Sequence, residues 1–152
     1  MSRAEQYSWA SLIALCVVFW WFQMRMLDGM TIVDQPAGAL FEIYLFVIAA
    51  SVILEILIAA ILAPGKSIAK DERDLAIEAQ ANLNERLFMI SAINVVIWQA
   101  LWEGLLDGHA LPRIDLTRLP TLIFVLFAIL FAGEAVKRVS TIILYRAQAV
   151  RG

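Results

Sequence analysis

Four blocks of the chain, 9–27, 40–62, 87–106 and 120–139, each carry an apolar run close to the roughly 20 residues that a helix needs to cross the hydrocarbon layer of a bilayer. Lipid offers a backbone no hydrogen-bond partners, so such a block must pair its own N–H and C=O groups, which an α-helix does alone. The predicted fold class is therefore all-α: an integral membrane four-helix bundle, a single transmembrane domain over 1–152. Composition agrees, since 62% of the 152 residues are hydrophobic and the mean hydropathy is +0.78. A soluble domain, at roughly half apolar residues, keeps enough polar surface to cover its core, and this chain does not.

Charge sets the expected orientation. Arg3, Lys66, Lys70, Arg73, Arg86, Lys137, Arg138, Arg146 and Arg151 fall on one side of the four blocks; Arg25, Arg113 and Arg118 fall on the other. The positive-inside rule then places both termini and the second loop in the cytoplasm, as in the cytoplasmic (inner) membrane of a prokaryote. The N-terminal block has Glu5 where a signal peptide wants positive charge, and Leu15 before Cys16 is too bulky for a lipoprotein cleavage site, so span 1 is expected to be retained. A net charge of −2 gives no basic patch for nucleic acid.

The loop at 66–86 is the most polar stretch. Asp71, Glu72 and Asp74 crowd a predicted helix start, where acidic groups suit the positive end of the helix dipole. Leu75, Ala79, Leu83 and Leu87 then recur every four residues without a breaker, predicting one helix over 71–106, on the order of 50 Å long. Its apolar stripe needs a cover, which another copy, the cytoplasmic or interfacial tail at 140–152, or lipid headgroups would supply.

Asp71, Glu72, Arg73, Asp74 and Ile77 also carry a resemblance. The segment is similar to the D-E-R-[DE]-x-x-I motif that precedes the third span in an uncharacterised family of small prokaryotic four-helix membrane proteins, a domain of unknown function. The resemblance covers about a fifth of the chain. It implies a four-span fold with a cytoplasmic acidic-basic segment, and no activity.

Two acids interrupt the apolar blocks. Glu55 in span 2 and Glu134 in span 4 both lie roughly 21 to 23 Å from the outer face at 1.5 Å per residue, and Asn94 and Cys16 reach the same depth from the other side. All four spans thus offer a polar residue to one intramembrane layer. Lys137 and Arg138 follow Glu134 by three and four positions, at the inner boundary, within reach on a helix surface. Two uses fit such a layer: hydrogen-bonded glue between helices, with Glu55 donating to Asn94, or a pair of acids that binds a proton or small cation. Gln23, Arg25, Glu42, Gln99 and Glu103 make a second, outer cluster near the headgroups, where charges cost little.

Several chemistries are not expected. His109 is the only histidine and lies in an outer loop, which disfavours a catalytic triad and excludes a bis-histidine haem within one chain. One cysteine cannot form an internal disulfide, and Asp107, His109 and Asp115 have no recognised metal-site spacing. The expectation is a protein with no cofactor, no metal and no enzymatic activity. It would act by association through its charged cytoplasmic helix, with membrane lipids around it and a second copy or another membrane protein as partner. The alternative expectation is a small oligomeric proton-coupled transporter or channel using Glu55 and Glu134.

Overall fold

A computed structural model of the chain describes residues 3–62, 72–105 and 115–151. It contains four helices, α1 (Arg3–Met26), α2 (Ala37–Leu62), α3 (Glu72–Leu105) and α4 (Leu119–Arg151), and one small hairpin of β1 (Leu27–Asp28) and β2 (Thr31–Ile32) between α1 and α2. Three of the helices are long and apolar enough to cross a membrane, over Glu5–Met26, Ala37–Leu62 and Leu119–Ala147. The described part of the predicted third span, 87–105, is the C-terminal half of α3, whose N-terminal half is the charged stretch ERDLAIEAQANLNER.

Helix α1 starts earlier than the apolar block does, because Glu5 is accommodated in its first turn, where an acid suits the helix dipole. It stops at the hairpin, where a two-residue loop lies between the paired Asp28 and Thr31. Gly29 opens that loop with φ at 62°, a conformation that costs other residues a Cβ clash. The end of α1 leaves carbonyls without helical partners, and two are taken up by the next segment: Val33 N–H donates to Met26 O at 2.9 Å, and Gln35 Nε2 donates to Arg25 O at 2.6 Å. Helix α4 is led in by Asp115, which accepts from the Thr117 N–H at 3.0 Å and from its hydroxyl at 2.5 Å. Those bonds hold the Asp115 carboxyl below its ordinary range.

The main core sits where α1, α2 and α4 meet, at the end of the molecule that carries the hairpin. Phe22, Met26 and Leu40 are fully buried there, with Val18, Ile43, Val47 and Phe131 around them. Aromatic rings dominate: Phe22 lies 5.1 Å from Phe127 and stacks on Phe124 at 5.7 Å, and Phe19 meets Phe131 at 5.0 Å. An Asp34–Arg118 ion pair of 3.2 Å joins the hairpin end of the molecule to the start of α4.

A four-helix bundle gives each helix two neighbours; here the packing runs α2 on α1, α1 on α4, and α4 on α3. Helix α3 is held mainly along one side of α4. Gly133 explains the closeness of that pair, since a Cβ there would stand 2.6 Å from Met89 Sδ. Ile77 and Ala81 are buried against α4 near Ile142 and Tyr145. Polar pairs complete the seam: Lys137 Nζ to Glu85 Oε2 at 3.5 Å, Asn84 Nδ2 to Ser140 Oγ at 3.1 Å, and Tyr145 O–H to Asp74 Oδ1 at 2.8 Å. The tail of α4 is thus a cover for the charged part of α3, but on one face only. Leu75, Leu83 and Leu87 of the stripe Leu75, Ala79, Leu83 and Leu87 point away from α4 and are about half exposed, and Ala79 is exposed with them. Ile77 and Ala81 are the buried positions of this half of α3.

Candidate functional site: an arginine between two acids

Helices α1, α2 and α4 bring polar residues to one point. Arg138 Nη2 lies 2.9 Å from Glu55 Oε1 and 2.7 Å from Glu134 Oε1, so one guanidinium nitrogen bridges two carboxylates. Glu55 is held further by α1: Tyr7 O–H donates to Oε1, and Ser11 O–H donates to Oε2 at 3.0 Å. The guanidinium also lies over the Tyr7 ring at 5.4 Å. Beside this cluster is a cavity of about 270 Å³, lined by Ser11, Ser51, Glu55, Glu134 and Arg138 with apolar residues of α1 and α2. Arg138 Nε is buried at its edge without a hydrogen-bond partner among the described residues. The cavity is mostly apolar, and its polar rim of Ser11, Ser51, Glu55, Glu134 and Arg138 is where water able to serve such a donor has room.

The geometry follows from helix periodicity. Glu134 and Arg138 are one turn apart on α4, so both reach the same side. On α1, Ser11 continues the buried line of Phe22 and Val18 in steps of three or four toward the N-terminus, as does Tyr7 with Ser8. The chemistry available is that of a clamp with one carboxylate in excess of its cation: two acids, one arginine and two hydroxyl donors. Close by in sequence on the same helices, Arg146 pairs with Glu5 at 3.4 Å and covers the Trp9 ring at 5.6 Å.

Two members of the predicted layer are not part of this point. Cys16 is exposed, and Asn94 is exposed on α3, where its Nδ2 donates to Ile90 O of its own helix at 2.8 Å. Depth alone put them there; azimuth removes them. Cys16 is six residues from Phe22, about a third of a turn off the packed face of α1, and Asn94 lies opposite the side of α3 that touches α4. Arg138 turns its side chain inward to Glu55 and Glu134 and leaves it only 16% exposed. Lys137, its neighbour, turns the other way to Glu85. Tyr7, Ser11, Glu5 and Arg146 were not anticipated; the signal for Tyr7 and Glu5 is the extension of the buried α1 face beyond the apolar block, and Ser11 lies on that same face within it.

The charged segment is also redistributed. Ile77 is 2% exposed, so its side chain packs within the chain, and Asp74, half-buried, accepts from Tyr145 through one of its two oxygens. Glu72 and Arg73 are exposed, and Asp71 lies outside the described residues. The outer cluster divides. Arg25 and Glu42 line one cavity of about 310 Å³ between α1 and α2 with Trp21, Gln35 and Phe46, and Arg25 lies over Trp21 at 5.5 Å. Gln23 is half-buried on α1, while Gln99 sits apart on α3. The side chain of Glu103, together with Asp107 and His109, is outside the described residues. Among the described residues no group of three His, Cys, Asp or Glu side chains is placed to hold a metal ion.

No family model, curated protein or solved structure matches the chain.

Proposed function

We propose that this chain is a multi-pass membrane protein of a prokaryotic inner membrane that works by association and not by catalysis, as a homodimer or as an accessory subunit, with α3 as its docking element. Both termini and the start of α3 face the cytoplasm in this reading, and the second half of α3 is the third of four crossings. The observation that carries it is the open face of α3. Its charged, N-terminal half leaves Leu75 52% and Leu83 46% exposed, in a stretch whose many polar residues place it in water. Apolar side chains lined up on one helix face in water are a surface for another protein. The clamp of Glu55, Arg138 and Glu134 supports this assignment as the device that holds α1, α2 and α4 together while α3 is presented.

A second reading, a small oligomeric proton-coupled transporter or channel, is favoured by the cavity that Glu55, Glu134 and Ser51 line. One set of proteoliposomes separates the two. Leu75→Glu with Leu83→Glu is expected to reduce the assembled fraction at least tenfold while α-helical content stays unchanged, and proton flux is expected to match empty vesicles with or without Glu55→Gln. Unchanged assembly in the leucine variant counts against the association reading. A proton flux that Glu55→Gln abolishes establishes the transporter.

A further inference from the structure

The open face of α3 has an internal order. Leu83, Leu87, Ile90, Asn94, Ile97 and Leu101 follow one another at spacings of four, three, four, three and four, the heptad pattern of a helix that packs on another helix. Each of the six is exposed, and the line they form runs on the side of α3 away from α4. From Leu87 to Leu101 it extends about 21 Å at 1.5 Å per residue, within the hydrocarbon thickness of roughly 30 Å, and Leu83 continues it into the charged half of α3. Leu87, Ile90, Ile97 and Leu101 are content in lipid. Asn94 is not: a primary amide facing acyl chains forgoes hydrogen bonds, and the bond to Ile90 O uses one of its two N–H groups and leaves its carbonyl without a partner among the described residues.

We infer that α3 pairs with α3 of a second copy of this chain along Leu83–Leu101, the two Asn94 side chains bonding to each other across the pair. This rests on the association reading above and names its partner. Three features favour an identical chain. An amide carries donor and acceptor together, so two copies of Asn94 related by a two-fold axis satisfy each other. Copies inserted the same way up in one bilayer meet about an axis along the membrane normal, which sets the two α3 helices parallel and in register, the arrangement in which a single polar heptad residue fixes pairing. The six seam positions carry no charge, so copy meets copy without repulsion. The exposed inner half of α2, with Val52, Ile53, Ile56 and Leu57, has no polar residue on that surface and suits lipid.

The test uses the full chain in native membranes with Cys16→Ser as background. Single cysteines replace Leu87, Ile90, Asn94 and Ile97 on the seam, Ser91 and Val95 off it, and Val52 on α2, and disulfides are formed with an oxidant. The four seam positions are expected to give disulfide-linked dimers at least fivefold above Ser91→Cys and Val95→Cys. Asn94→Leu, combined with Ile90→Cys, is expected to lower the dimer yield at least fivefold, with Asn94→Gln retaining it. The mass of the unmodified chain extracted in lipid nanodiscs separates the failures. More than one chain with cross-links strongest at Val52, Ser91 or Val95 overturns the seam and leaves association standing. One chain together with a different protein on the seam overturns the second copy as partner, and one chain alone overturns the seam and the association reading together.

Discussion

Replacing Arg138 by methionine is expected to destabilise the folded chain by about 3 kcal/mol, the lower end of the cost of removing one partner from a buried ion pair. The reasoning starts from what is left behind. Glu55 and Glu134 both bond to the same guanidinium nitrogen, so methionine leaves two carboxylates facing each other with only the Tyr7 and Ser11 hydroxyls to answer one of them. Each acid must then stay charged without a counterion or take up a proton, and both states are costlier than the clamp. The side chains of the acids remain 41% and 32% exposed, partly toward the cavity, which is why the lower end of the range applies. A triple variant, Arg138→Met with Glu55→Gln and Glu134→Gln, is expected to recover most of the loss, since removing a whole buried ionic group is often neutral where removing one member is not. Unfolding in lipid bicelles followed by tryptophan fluorescence measures both. An Arg138→Met chain as stable as the original would show that the clamp does not hold the helices.

The second large effect belongs to Phe22. Its ring is fully buried among Phe124, Phe127, Phe131 and Phe19, and Phe22→Ala is expected to cost about 3 kcal/mol in the same unfolding measurement. In water such a substitution loses both a transfer term and a cavity term. In lipid the transfer term nearly vanishes, because acyl chains are as apolar as the core, and what remains is the dispersion energy of the ring contacts and the void left behind. Phe22→Leu keeps most of the volume and is expected to cost about 1 kcal/mol. Equal costs for both would indicate that the core relaxes around the void.

The legible part of this fold is its apolar runs. They located α1, α2 and α4, each long and apolar enough to cross a membrane, because a backbone in such a setting has to be helical, whatever its side chains do. The same signal misplaced the start of α1, since Glu5 and Ser8 read as a loop by hydropathy although the buried face of α1 continues through them. The hairpin could not be foreseen: strands of two residues have no periodicity, and only the Asp28-Gly29 turn marked the place. At the candidate site, counting residues gave Glu55 and Glu134 a common depth, and the i,i+4 relation tied Glu134 to Arg138. Counting could not give azimuth, which depends on which helices touch. Azimuth is what turned Asn94 and Cys16 outward and brought Tyr7 and Ser11 in. The leucine stripe of α3 was visible as a stripe, yet its direction followed from Gly133, whose missing side chain lets α4 take the neighbouring face.

Sidedness tests the account most directly. In a Cys16→Ser chain, Met30→Cys on the fully exposed hairpin tip and Glu72→Cys at the start of α3 are exposed separately to a membrane-impermeant maleimide in intact cells. The cysteine at position 30 is predicted to react from outside, and the one at position 72 only after the membrane is permeabilised. Labelling of both from the same side would contradict a chain that crosses the bilayer to present α3 in the cytoplasm.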